Sequence, residues 1–183
     1  MRICGLQKLS MVDYPGKLAA TVFTGGCNLR CPFCHNALLV TRLGESPTIT
    51  EEEVLSFLSG RKGLLDAMVL SGGEPLLQAD FAYEIFKLSH EEGINTCLDT
   101  SGCIINEAAE KLIDLTDYVM LDIKFTSDDD YRRYIGCPLS KPLEFLELLQ
   151  RKNKAVRIRQ VVVPGLNDSE ENILKLAEEF PEH

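Results

Sequence analysis

Gly25-Gly26-Cys27-Asn28-Leu29-Arg30-Cys31-Pro32-Phe33-Cys34-His35-Asn36 sets three cysteines at i, i+4 and i+7 within one short stretch. Residues 18–24 before it (Leu-Ala-Ala-Thr-Val-Phe-Thr) are apolar and β-branched, which predicts a buried strand. The paired glycines let the backbone turn off the strand end, so the cysteines fall on a loop too short to keep their thiols apart. Thiolates this close converge on one metal centre. Three cysteines leave the fourth position of a tetrahedral site open or filled from elsewhere. Structural zinc normally closes on four protein ligands. Here no second C-x2-C pair and no H-x3-5-H accompanies the first, and His35 is the one nearby candidate for a fourth ligand. An iron–sulfur cluster on three cysteines instead keeps one iron free for another molecule.

Strand and helix signals alternate downstream. Thr50-Glu51-Glu52-Glu53 reads as a capping box with Thr50 at the N-cap, so its acidic run belongs to a helix start, and that helix ends near Gly60. Residues 65–70 form a second expected strand, closing on Ser71-Gly72-Gly73-Glu74-Pro75. Asp80 is expected to cap a helix to Glu92, with Gly93 as its stop. Residues 94–99 are the third strand, followed by Thr100-Ser101-Gly102, and Asn106 opens a helix to Leu115. Residues 117–124 are the fourth strand. Asp128-Asp129-Asp130 opens a short solvated helix, and another runs from Ser140 or Pro142 to Lys152. Residues 155–163 are the fifth strand, ended by Pro164-Gly165, and Asp168-Ser169-Glu170-Glu171 is a second capping box before a last helix to about Phe180. Residues 4–17, around Tyr14-Pro15-Gly16, read as a turn-rich lead-in.

Five strands alternating with helices imply an α/β domain, a parallel sheet covered by helices, with no linker or repeat dividing residues 1–183. In such folds chemistry gathers beyond the carboxyl ends of the strands. The cysteine loop, Gly72-Gly73-Glu74, Asp99-Thr100, Asp122 with Lys124, and Arg159 each fall at or near one of those ends. Taken singly, Gly72-Gly73-Glu74 is also an ordinary strand-to-helix turn. Asp122 and Lys124 are also a surface pair on a strand, and Arg159 a solvated strand-end arginine. Cys4, Cys97, Cys103 and Cys137 read as packing residues, and His90 as a surface residue of its helix.

The C-x3-C-x2-C spacing with an aromatic before the last cysteine resembles the signature of the radical S-adenosylmethionine (radical SAM) superfamily. The resemblance implies a partial (β/α) barrel and a [4Fe-4S] cluster on Cys27, Cys31 and Cys34. It also implies S-adenosylmethionine bound to the free iron, with the backbone around Phe33 against the adenine and Gly72, Gly73 and Glu74 at the amino group. Cys34-His35-Asn36, Asp99-Thr100-Ser101-Gly102, Met120-Leu121-Asp122-Ile123-Lys124 and the run from Ile158 to Gly165 narrow it. Together with the lead-in from Lys8 to Gly16 they resemble the activating enzymes of glycyl-radical enzymes, of the pyruvate formate-lyase and anaerobic ribonucleotide reductase types. In that family Asp99, Thr100, Asp122 and the Met120 carbonyl match a monovalent-cation site, and Lys124 and Arg159 match residues at or beside the cofactor. A further strand and a histidine-bearing segment would follow the last helix there; the sequence stops at His183, so residues 1–183 are expected to lack that strand, either as a shortened family member or as a fragment of a longer chain.

With 183 residues, 45% of them hydrophobic and 26% charged, the chain is long enough for one substantial core. No apolar run reaches the roughly 20 residues of a membrane span, and the N-terminus has no secretory signal pattern, so a cytoplasmic location is the default expectation. Seven cysteines do not suggest a disulfide scaffold, and a net charge of −9 argues against a general nucleic-acid binder. The expected function is therefore a radical SAM oxidoreductase that cleaves S-adenosylmethionine and generates a glycyl radical on a partner enzyme. A flavodoxin or ferredoxin-like protein would serve as electron donor. The alternatives are a radical SAM enzyme acting on a small molecule or peptide, and a non-catalytic metal-binding interaction module.

Overall fold

The computed structural model describes residues 2–180. Its six strands are β1 (Ile3–Ser10), β2 (Ala19–Thr24), β3 (Ala67–Gly72), β4 (Asn95–Thr100), β5 (Tyr118–Asp122) and β6 (Ala155–Arg159). They form one sheet in chain order. The five strands expected from the sequence, β2 to β6, run parallel, while β1 pairs antiparallel on the outside of β2. The helices are α1 (Ala37–Thr41), α2 (Glu51–Ser59), α3 (Ala79–Glu91), α4 (Glu107–Leu115), α5 (Asp128–Asp130, running on as a π turn over Tyr131–Ile135), α6 (Ser140–Arg151) and α7 (Glu170–Glu179). The open sheet is consistent with a partial barrel. The chain end beyond α7, where a further strand is expected to be missing, lies outside the described residues.

Strands β2 and β3 are apolar on both faces because helices cover one face and a second, smaller cluster fills the other. On the helix side Leu58, Ile85, Phe86, Leu112, Ile113, Phe145 and Leu149 pack against Met68, Leu70, Leu98, Val119 and Leu121. On the concave side Tyr14 packs with Ala19, Ala67, Val69, Cys97 and Met120. The lead-in is therefore a strand and a plug rather than a string of turns. Tyr14 is only 5% exposed and stacks on Tyr118 at the amino end of β5, ring centroids 5.1 Å apart. Asp13 beside it accepts a 2.6 Å hydrogen bond from the Thr21 hydroxyl.

Local signals hold where the chain supplies both partners. Thr50 and Glu53 form the expected capping box, and Asn106 caps α4 through the Ala109 amide. Three details differ. Asp80 lies inside α3, because Glu74 and Pro75 start a 3-10 turn that leads into the helix. Ser169 caps α7 by accepting from the Asn172 amide, while Asp168 turns back to the Gly165 amide. Strand β6 ends at Arg159, four residues before the expected Val163.

Candidate active site

The carboxyl ends of the parallel strands open on a cavity of about 430 Å³, within the range of ligand pockets. Cys27, Cys31, Phe33 and Cys34 reach it from the loop after β2. Gly72, Gly73 and Glu74 reach it from β3, Asp99 and Thr100 from β4, and Asp122 and Lys124 from β5. Arg159 and Met120 are the candidates not on this wall: Arg159 lies behind the two aspartates, and Met120 is buried in the cluster around Tyr14.

Backbone contact fixes the cysteine loop to the end of β3. The Glu74 amide donates to the Gly26 carbonyl (2.8 Å) and the Gly73 amide to the Thr24 carbonyl (2.8 Å). The Asn36 side-chain amide donates to the Gly72 carbonyl (3.3 Å). Gly72 sits at φ +115°, and a Cβ there would overlap the Thr24 backbone; one at Gly73 would overlap the Gly26 carbonyl. The two glycines are thus required by the chain itself before any ligand arrives. On the opposite side of the loop the Phe33 ring meets Phe125 edge-on at 6.1 Å, and Phe125 in turn stacks on Tyr134.

Glu74 faces the protein. It is 1% exposed, and four donors converge on its carboxyl group. Thr100 Oγ1 (2.6 Å) and the Leu76 amide (3.1 Å) reach Oε1. The Ser101 amide (3.0 Å) and hydroxyl reach Oε2. Its carboxyl fastens β3 to the end of β4, and Gly72 and Gly73 line the cavity beside it. Thr100, read as a cation ligand, has its hydroxyl in the same set of bonds.

Asp99, Asp122, Lys124 and Arg159 form one charged row. Arg159 binds Oδ1 of Asp99 and, at 3.1 Å, Oδ1 of Asp122. Lys124 Nζ binds Oδ2 of Asp122 at 2.9 Å, and the Ser71 hydroxyl binds Oδ2 of Asp99 at 2.7 Å. Every oxygen of both carboxyls therefore has a protein donor. Burial pushes the Asp99 carboxyl up to about 6, against the pull of Arg159. Burial pushes the Lys124 ammonium down, but Asp122, Cys31 and Asp99 outweigh it, so the lysine holds its proton more firmly than usual.

Cys27, Cys31 and Cys34 are free thiols, each half-buried. Burial raises Cys27 and Cys31 above the ordinary thiol range; the Leu29 amide opposes this at Cys27 and Lys124 opposes it at Cys31. His35 is exposed. Among the described residues no three His, Cys, Asp or Glu side chains close on a single ion. Three soft donors spaced around a cavity mouth fit an iron–sulfur cluster with one iron left open better than a closed tetrahedral zinc ion.

The Radical SAM superfamily signature matches residues 21–177. The chain belongs to the radical SAM superfamily. A pyruvate formate-lyase-activating enzyme of Clostridium pasteurianum is 39% identical over 180 residues, covering 96% of this chain and 74% of that protein. A pyruvate formate-lyase 1-activating enzyme of Escherichia coli is 36% identical over 182 residues, covering 97% and 74%. In three dimensions the chain is similar to Streptococcus suis SuiB bound to S-adenosylmethionine, with a TM-score of 0.69 at 19% identity. That match covers 85% of this chain and 35% of SuiB, so it speaks for the fold alone. The chain thus spans about three quarters of the length of these curated relatives and about a third of SuiB.

Radical SAM proteins use a [4Fe-4S] cluster and S-adenosylmethionine, and the cavity has the donors for both. Leu29, Asn36, Ser71, Ser101 and Val161 also line it and were not assigned from sequence. Ser71 and Ser101 stand inside motifs already noted, next to the residues they serve. Leu29, Asn36 and Val161 likewise lie inside quoted stretches, with no signal of their own for a place on the wall. No helix among the described residues is long and apolar enough to cross a membrane.

Proposed function

We propose that this radical SAM domain, spanning residues 1–183, is a glycyl-radical-enzyme activating enzyme that holds its cluster on Cys27, Cys31 and Cys34. The observation that carries the reading is the meeting of three free thiols, bare glycine backbone and a row of paired charges in one cavity. When bound, the cluster supplies the electron that breaks a carbon–sulfur bond of S-adenosylmethionine and so yields a 5′-deoxyadenosyl radical. The chain's own residues bind, orient and shield. Gly72 and Gly73 offer backbone at close range to the ligand's amino group, and the Phe33 backbone borders the adenine. Lys124 supplies positive charge to the carboxylate, and Arg159 holds Asp99 and Asp122 in place from behind. The burial of this row supports chemistry away from water, which a radical that attacks most C–H bonds requires.

The curated relatives favour a protein substrate of the pyruvate formate-lyase type over an anaerobic ribonucleotide reductase. A flavodoxin or ferredoxin-like donor in the cytoplasm would supply the electron. A monovalent cation at Asp99, Thr100 and Asp122 would meet oxygens already bonded to Arg159 and Lys124. A carboxylate oxygen accepts more than one bond, so such a cation would sit among them, and added sodium or potassium should then tighten S-adenosylmethionine binding.

The test mixes the anaerobically reconstituted protein, a chemical reductant, S-adenosylmethionine and a pyruvate formate-lyase-type enzyme. Stoichiometric 5′-deoxyadenosine with a glycyl doublet in the EPR spectrum is expected. Formation of 5′-deoxyadenosine with a small molecule or peptide but never with a protein radical would replace this reading by the other enzymatic one. A loaded cluster that never cleaves S-adenosylmethionine would leave a binding module.

A further inference from the structure

Beyond Arg159 the chain leaves the sheet, and among the described residues no strand lies outside β6 to take up its hydrogen bonds. One side chain takes up those of the departing segment. Asn167 is 2% exposed. Its Nδ2 donates to the Val161 carbonyl (2.9 Å) and to the Lys124 carbonyl (3.0 Å), and its Oδ1 accepts from the Val163 amide (2.6 Å). Both donors of the amide are thus used, one on each of two different segments. Lys124 and Val161 are also the residues whose side chains line the cavity on this flank. Asn172 backs the arrangement from α7. Its Nδ2 donates to the Asn167 carbonyl (2.7 Å) and to Gln160 Oε1 (2.8 Å), and its Oδ1 accepts from the Thr126 hydroxyl (2.8 Å).

We propose that Asn167 is a positioning residue that sets the width of the ligand cavity between Lys124 and Val161 at the open edge of the sheet. Removing the amide leaves two carbonyls and one N–H without this partner; Lys124 is part-buried, but Val161 is 54% exposed, so its segment regains partners by turning out to water. That movement takes Val161 away from Lys124. The cysteine loop is anchored elsewhere, on Thr24, Gly26 and Gly72, so the clamp acts on ligand binding and not on cluster binding. The inference rests on the cavity being the S-adenosylmethionine site.

Asn167→Ala and Asn167→Asp test it; the aspartate keeps the acceptor for Val163 but turns a carboxyl against two carbonyls. Both variants should retain the cluster, measured as iron and sulfide per chain. They should bind S-adenosylmethionine about tenfold more weakly, read from its perturbation of the reduced cluster's EPR spectrum, and raise KM for it more than they lower kcat. Asn172→Ala spares the bridge and should weaken binding less, which keeps the test open if Asn167→Ala does not fold. Unchanged affinity in a loaded Asn167 variant overturns the proposal, and so does parallel loss of cluster and affinity, the mark of general unfolding. If the wild type holds its cluster but ignores S-adenosylmethionine, the functional reading fails. The clamp is then judged by hydrogen exchange, which must quicken over residues 160–167 and not over 25–36.

Discussion

Gly73 and Gly26 meet backbone against backbone, so closely that a Cβ at position 73 would overlap the Gly26 carbonyl. The same carbonyl accepts from the Glu74 amide at 2.8 Å. The end of β3 is thereby a mould for the start of the cysteine loop, and the glycine pair serves the metal centre as well as any ligand.

Gly73→Ala should therefore damage the cluster first. Neither contacting atom is the end of a flexible side chain, so the loop itself must move. Iron and sulfide per chain are expected to fall by at least half while the far-ultraviolet circular dichroism keeps its helical shape. Full cluster content with weakened S-adenosylmethionine binding would assign Gly73 to the ligand alone.

Glu74→Gln replaces an acceptor by an amide whose NH2 faces the donors of Ser101 or Thr100. A buried donor left against another donor costs about 1–3 kcal/mol. The urea midpoint should drop accordingly, with the slope of the transition unchanged. A midpoint equal to that of the wild type would mean that the carboxyl does not fasten β4.

Asp99 gives a pH dependence with a definite sign. Its carboxyl rises from 3.8 to about 6 on folding, chiefly through burial. Between those values the folded chain binds more protons than the unfolded one, so this group's contribution to stability falls as pH rises through the window. Asp99→Asn should flatten that part of the stability profile, measured by urea unfolding on either side of it. An unaltered slope in the variant would assign the effect to another group.

Single changes of Cys27, Cys31 or Cys34 to alanine should each abolish the brown colour of the anaerobic protein. Cys97→Ala and Cys137→Ala should keep it, since Cys97 belongs to the concave packing cluster and Cys137 to the helix-side core. They should lower stability by roughly 1 kcal/mol. Stoichiometric zinc without iron or sulfide in the wild type would refute the cluster assignment.

The parallel strands were legible because each is a short apolar run closed by glycine, proline or a capping residue, all local signals. Strand β1 was not. Ile3–Ser10 holds Gly5 and Lys8, alternates poorly, and owes its conformation to pairing with β2, with register shifts along the ladder. The length of β6 failed for the complementary reason: residues 160–163 are strand-like in composition but have no strand to pair with among the described residues. Within the site, the motifs gave the residue types at the cavity, and all but Arg159 and Met120 line it. Partners were illegible. Nothing in Ser71-Gly72-Gly73-Glu74 announces that its carboxyl will accept from Thr100 and Ser101, and no local signal marks Asn167, whose partners lie on two separate segments.

The plug formed by Tyr14 has a consequence for the row of charges. Tyr14 packs in one cluster with Cys97 and Met120, and the Met120 sulfur accepts from Arg159 Nη1 at 3.4 Å. The lead-in thus props, through one thioether, the guanidinium that holds Asp99 and Asp122. Truncating a tyrosine far along the chain from the strand ends would loosen the charges there.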